Sequence, residues 1–394
     1  MESMEYILRL QEARLRKILA RNKSVLLLGA RQTGKTTLTR RFPAGLSISL
    51  VRPDVRLRYE RDPSLLSGEV EAMSRKPSHR PLVLLDEIQK VPALLDVVQD
   101  LIDRGRANFV LTGSSARKLR RGPGVNLLPG RVVAQRLDPL VLRELSPVRA
   151  LKEYLLYGSL PGIVSVRQPG SREMDLESYV MTYLEEEVRA EAIVRNLGSF
   201  ARFLEFAASE SGQVVNFRKL SQEVGVAHTT IASYYQILED CLIVERVEPL
   251  TKSKTRKKLT KAQKYLFFDL GVRRLAAREG TALSRDTLGL LLEQFIGLEL
   301  IRSARLSDRR VQIRFWRDPD GPEVDWVIEK ESEHIPVEVK WTDSPSSKDI
   351  RHLQLFLSEY RNAPRGYVVC QTPRRVKLTD RILAVPWQET DELV

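Results

Sequence analysis

The sequence predicts an α/β protein of several domains, opening on a parallel sheet with helices on both faces. Three observations predict it. The chain has 394 residues, more than one hydrophobic core usually serves. Short apolar runs, VLLLG at 25–29, LVLLDE at 82–87 and NFVLTGSS at 108–115, alternate with helical patterns, as buried parallel strands do. A glycine-rich turn follows the first run directly. Composition agrees: 42% hydrophobic and 29% charged residues exclude a disordered, collagen-like or disulfide-framework chain. Lys and Arg number 64 against 51 Asp and Glu, and the net charge of +13 favours a polyanionic partner. Cys241 and Cys370 stand far apart without metal-ligand company, which points to a reducing cytoplasm and no cysteine catalysis. The apolar runs are too short to span a bilayer, and the N-terminus reads as a mixed-charge amphipathic stretch rather than a secretion signal.

Residues 1–22 space Tyr6, Ile7, Leu10, Leu15, Ile18 and Leu19 as a helix does. The strand–helix alternation ends near 137–150, where DPLVLRELSP leads out of the first domain, set at 1–145. Residues 146–212 read as helical. At 213–283 two short helical patterns flank Gly225 and a β-branched strand follows, the outline of a helix-turn-helix with a wing. The run KSKTRKKLTKAQK at 252–264 holds seven basic residues and no acidic one. A last unit, 284–394, starts with the helix SRDTLGLLLEQFIGLELIRSAR and continues with strands, a helix at 347–361 and the strand RGYVVC.

GARQTGKT at 29–36 fits G-x-x-x-x-G-K-[ST], placed after a buried strand and before a helix. The loop and first helical turn, Gly29, Ala30, Arg31, Gln32, Thr33, Gly34, Lys35, Thr36 and Thr37, form a candidate nucleotide site. The glycines let backbone N–H groups point at phosphate oxygens, and the helix N-terminus adds positive potential. Lys35 is expected to reach the β- and γ-phosphates of ATP, and the Thr36 hydroxyl to bind Mg²⁺. LVLLDEIQKVP then ends a strand on two carboxylates: Asp86 for Mg²⁺, Glu87 to orient the attacking water. In this, the sequence resembles the AAA-type (AAA+) P-loop ATPases. The resemblance implies a γ-phosphate sensor at Ser114 or Thr112, and an arginine reaching a neighbouring subunit's nucleotide at Arg131 in LLPGRVVAQRL, with Arg117 as the rival.

In HTTIASYYQIL at 228–238, Ile231, Tyr235 and Leu238 can face a core, leaving His228, Thr229, Thr230 and Ser233 outward for phosphate and base-edge contacts. Lys252, Lys254, Arg256, Lys257 and Lys258 would meet a DNA backbone from the wing. Further on, Glu293 lies on an apolar helix, Asp325 in GPEVDWVIE, and Glu338 and Lys340 in PVEVKW on one strand face. This set resembles the PD-(D/E)xK nuclease core, which implies Asp325, Glu338 and Glu293 around Mg²⁺ and Lys340 at the reacting water or phosphate. Glu299 and Glu323 are alternative acids. The order of the chain as a whole resembles prokaryotic AAA-type ATPases with a helical and winged-helix middle and a restriction-endonuclease-like end. YLLYGSLPGIV at 154–164 belongs to that likeness, and its Gly-Ser-Leu-Pro-Gly reads as a tight packing turn. The expectation is a cytoplasmic homo-oligomeric ring, hexameric by the resemblance, that hydrolyses ATP to translocate on or remodel branched or single-stranded DNA. The alternatives are an ATP-gated, Mg²⁺-dependent nuclease and a nucleotide-dependent protein-interaction module.

Overall fold

A computed structural model describes residues 6–73, 80–115, 128–184, 197–251, 259–319 and 321–394. The chain forms two compact units, one running to Pro139 and including Asp240–Ile243, the other Leu140–Glu239 with Val244–Val394.

In the first unit, helix α1 (Leu10–Ala20) precedes β1 (Ser24–Leu28), and α2 (Lys35–Thr39) follows the glycine-rich loop. Then come β2 (Leu46–Ser49), α3 (Pro53–Arg61), α4 (Leu65–Met73), β3 (Leu82–Asp86), α5 (Leu94–Asp103), β4 (Asn108–Gly113) and β5 (Val132–Arg136). The five strands are parallel in the order β2-β3-β4-β1-β5. Both faces are covered, which is why VLLL is an unbroken apolar run. Leu26 joins Ile48, Val83, Phe109 and Leu111 in one core. Val25 and Leu27 join Leu15, Leu38 and Val110 in the other. From β1 the chain leaves toward β2, and from the adjacent β4 toward β5. The crevice at the carboxyl ends of these two strands is thus a topological switch point, where open parallel sheets bind ligands.

The second unit begins with α6 (Leu151–Tyr157), α7 (Pro161–Ser165), α8 (Pro169–Tyr179) and α9 (Leu197–Ser209). Helices α10 (Phe217–Val224) and α11 (His228–Asp240) follow, and then β6 (Val244–Val247) pairs antiparallel with β7 (Lys264–Phe267). Asn216 caps α10 by accepting from the N–H groups of Arg218 and Lys219, and Gly225 ends it at φ 75°. Phe203 packs edge-on against Tyr235 at 5.0 Å, and Tyr235 stacks on Tyr265 at 4.1 Å, binding these helices to the two-stranded ribbon.

After α12 (Leu270–Ala276) the 22-residue α13 (Arg285–Leu306) runs to a six-stranded sheet. Its strands are β8 (Val311–Arg317), β9 (Glu323–Lys330), β10 (Glu333–Val339), β11 (Gly366–Cys370), β12 (Val376–Lys377) and β13 (Ile382–Pro386), with α14 (Arg351–Glu359) between β10 and β11. The order is β12-β13-β11-β10-β9-β8. Strands β8, β9 and β10 alternate in direction, and β10, β11 and β13 run parallel. The sequence divides this part into three, but here the ribbon and the sheet share a core. Leu250 and Leu259 pack with Trp316 and Phe356. Leu250 N–H donates to Phe315 O at 2.7 Å and Thr260 N–H to Arg317 O at 3.1 Å, so Leu250 and Thr260 are both fixed to the edge strand β8.

The turn in YLLYGSLPGIV gains its reason at Asp269. Gly158 sits at φ 70° and ψ −156°, where only glycine is at ease, and a Cβ there would overlap the Asp269 carboxylate. That carboxylate accepts from Ser159 N–H at 2.7 Å and caps α12 through Gly271 and Val272. Arg302 closes the clamp, donating to Leu140 O, Ser159 Oγ and Phe268 O.

Candidate nucleotide site and carboxylate cluster

The 29–36 loop springs from the buried end of β1. Gly29 passes so close to Leu137 O that a Cβ would collide with it, and Gly34 takes φ 94° to start α2. Lys35 is buried and folds back on its own loop, donating to Gly29 O at 2.7 Å and Ala30 O at 3.0 Å. These carbonyls hold the ammonium beside the loop. Thr33 is buried with its hydroxyl on Ala30 O, Arg31 is half-buried, and Gln32 and Thr37 are exposed. Thr36 Oγ1 lies 3.3 Å from both carboxylate oxygens of Asp86 at the end of β3. Hydroxyl and carboxylate thus meet where the loop's mouth would hold Mg²⁺, and the donor set fits that ion.

Thr112 and Ser114 turn out to have separate tasks. Thr112 donates to Asp86 Oδ1 at 2.6 Å and accepts from Glu87 N–H at 3.1 Å. Ser114 donates to the Glu87 carboxylate at 3.1 Å. Glu87 itself takes φ 60°, a left-handed conformation uncommon for such a residue. Gln89 holds it there, its amide bonding both the Glu87 carboxylate and, at 3.0 Å, Ser114 Oγ.

Two contributors escape sequence reasoning. Arg9 donates to Thr33 O and to Asp138 O, each at 2.7 Å, so it pins the loop to the chain leaving β5. Gln89 is the other, its only signal a position two residues past Glu87. Arg131 lies elsewhere. It precedes β5, whose far end, Arg136, pairs with Leu28. Five residues of strand place Arg131 roughly 16 Å from its own loop. It forms a two-pronged ion pair with Asp103 at 2.7 and 2.9 Å. Arg117 falls outside the described residues.

The second unit gathers the acids named from PVEVKW. Asp325 on β9 accepts from Val339 N–H at 2.8 Å, and Lys340 donates to Glu338 Oε1 at 2.7 Å. Burial pushes Asp325 well above the usual carboxylate range, with the Glu338 and Glu293 charges adding to it. Glu338 is likewise raised to about 7 by burial, against the pull of Lys340. Its Oε2 is buried without a hydrogen-bond partner, an open valence that suits a cation beside Asp325. Glu293 is engaged differently, accepting from Lys264 at 2.9 Å. Among the described residues, no three His, Cys, Asp or Glu side chains are arranged to hold a metal ion. Lys264, which sequence reading assigns to the basic run, is thus a buried member of this cluster. Glu299 is corrected too. It is buried in the Arg302 clamp, accepts from Leu142 N–H at 3.0 Å, and stands raised to about 7 by burial. Glu323 lies near enough to raise Glu338 and Lys264.

On α11, Ile231, Tyr235 and Leu238 are buried; His228, Thr229 and Ser233 are exposed and Thr230 half-buried. Lys252, Lys254, Arg256, Lys257 and Lys258 lie outside the described residues. No helix among the described residues is long and apolar enough to cross a membrane.

Residues 21–146 match a family model described as an AAA domain. Residues 148–282 and 288–390 match two described as domains of unknown function, DUF8612 and DUF4143. Uncharacterized proteins of Mycobacterium tuberculosis and Mycobacterium bovis are each 29% identical over 382 residues, covering 95% of this chain and 82% of theirs. One from Methanocaldococcus jannaschii is 22% identical over 418 residues, covering 92% and 83%. Among solved structures, the Thermococcus gammatolerans McrB AAA+ hexamer with bound McrC overlaps 50% of each chain at 12% identity and TM-score 0.22. The Bacillus subtilis DNA clamp loader delta protein overlaps 58% of this chain and 87% of its own at 10% identity and TM-score 0.26. Overlaps that weak carry no argument. The chain thus carries an AAA domain, and the domains that follow it are of unknown function.

Proposed function

We propose that this protein is an ATP-hydrolysing, oligomeric AAA-type ATPase that binds DNA and uses hydrolysis to translocate on it or remodel it. The observation that carries the ATPase reading is the division of labour between adjacent acids. Asp86 faces Thr36, while Glu87 is held apart by Gln89 and Ser114. Thr36 and Asp86 would hold Mg²⁺, which when bound neutralises phosphate charge. Lys35 would exchange its two carbonyls for phosphate oxygens, and Glu87 would accept the proton of an attacking water. The DNA reading draws on the net charge of +13, the basic run, and the exposed N-terminal end of α11 ahead of a two-stranded ribbon, a winged-helix outline.

The test is steady-state ATPase with Mg²⁺, alone and with single-stranded, duplex, forked and four-way DNA, the DNA being followed on a gel. Expected are stimulation that falls steeply with salt and turnover abolished by Lys35→Ala. Glu87→Gln should trap bound ATP. ATPase indifferent to every DNA would overturn the DNA reading in favour of a protein partner. A second reading, ATP-gated DNA cleavage by a PD-(D/E)xK-like site, is favoured by the meeting of Asp325, Glu338 and Lys340 and by the unpartnered Glu338 Oε2. It requires metal-dependent nicking that Asp325→Ala and Lys340→Ala both abolish.

A further inference from the structure

The carboxylate cluster contains one cation more than the E-x-K pattern explains. Lys264 opens β7, a strand buried along its whole length. Its side chain is 9% exposed, with Nζ 2.9 Å from Glu293 Oε1. The ammonium also lies 5.1 Å from the ring centroid of Phe315 and 5.2 Å from that of Trp326. Burying an ammonium costs several kcal/mol unless opposite charge meets it. An apolar residue would serve this strand at lower cost, so the charge is there for the acids it faces.

We propose that Lys264 is the second cation of this site: it withdraws Glu293 from the ligand set and leaves Asp325 and Glu338 to hold a single divalent ion. Lys264 on Glu293 and Lys340 on Glu338 already engage two of the three carboxylates through one oxygen each. A second ion would have to recruit Glu293, which Lys264 holds. The remaining pair offers a defined edge. Val339 N–H fixes Asp325 Oδ2, and Glu338, only 4% exposed, keeps Oε2 without a partner. The engagement of Glu293 by Lys264 also explains why no three acids stand together as a ligand set. Lys264 further ties the site to the ribbon, because β7 is the strand on which the chain returns from the basic loop. The inference rests on the PD-(D/E)xK-like reading of the fold and not on cleavage.

The experiment is Mn²⁺ binding to the full chain without nucleotide, by electron paramagnetic resonance. Wild type is compared with Asp325→Asn, so that ions held elsewhere subtract out. One Asp325-dependent ion is expected in wild type. In Lys264→Met, which keeps the stem against the rings, a second ion should appear and the first should tighten roughly tenfold. Lys264→Arg should keep the count at one. None in wild type would mean that the lysines close the cluster completely, and two would mean that Lys264 yields its place; either overturns the proposal, as does Lys264→Met remaining at one. Should Lys264→Met fail to fold, Glu293→Gln decides: a single ion retained at weaker affinity, because Lys264 then faces the site unpaired, supports the proposal, and a lost ion overturns it. Because the readout is ion binding, a DNA-stimulated ATPase could fail this test and a protein indifferent to DNA could pass it.

Discussion

Glu87 owes its position to two side chains that never need to touch nucleotide. Gln89 and Ser114 hold its carboxylate, and the left-handed backbone at Glu87 turns it toward them. Gln89→Ala should therefore lower kcat about tenfold while nucleotide affinity stays within about twofold, which turnover and equilibrium nucleotide titration separate. Glu299 supplies a pH dependence. Burial raises it to about 7 in the folded state against an ordinary 4.5. Between those values the folded chain holds a proton that the unfolded chain has released, so stability falls as pH rises from about 4.5 to 7 and is level beyond. Glu299→Gln should lessen that slope in denaturant melts, the remainder coming from the likewise raised Glu338 and Asp325. At this scale GKT and DE were legible because phosphate chemistry dictates residue type at fixed local spacing. Arg9, Gln89 and Lys264 were not, because what they do depends on chain brought alongside. Arg9 reaches Thr33 from 24 positions away, and Lys264 reaches Glu293 from 29.

Among elements, the clamp around Asp269 shows what a local signal can and cannot disclose. A Gly-Ser-Leu-Pro-Gly turn was legible after α6, but the carboxylate that needs Gly158 accepts from Ser159 N–H across 110 residues. Gly158→Ala would drive a methyl into that carboxylate at a backbone angle only glycine accepts. It should cost about 3 kcal/mol, read as a lowered denaturant midpoint for the second unit. Helices α10 and α11 were legible for the opposite reason, since Asn216 and Gly225 cap α10 within its own sequence. The inner strands β1, β3 and β4 were also legible, because burial on both faces demands unbroken apolar runs, which the edge strands β2 and β5 lack. The last strands, β12 and β13, were not. Val376 and Lys377 are exposed, and the strand Ile382–Pro386 runs straight into the short 3-10 helix Trp387–Leu393 with no turn signal between them.

For the molecule as a whole, Arg131 raises the question of assembly. It sits at the end of the sheet away from its own nucleotide loop, and Asp103 of the same chain occupies it. The Arg131 pairing holds the Asp103 carboxyl below its usual range. If Arg131 serves a neighbouring subunit, that exposed ion pair must first open. Arg131→Ala should then depress ATPase and remove its dependence on protein concentration while sparing nucleotide binding, whereas unchanged turnover would shift the role to Arg117. The anchoring of Leu250 and Thr260 matters mechanically. Leu250 and Thr260 each hang on β8 by a backbone hydrogen bond, and Leu250 and Leu259 are sunk in the core beneath. Force applied between Leu250 and Thr260 would load two anchor points at once. That force would pass into the edge of the six-stranded sheet instead of unravelling the ribbon one residue at a time.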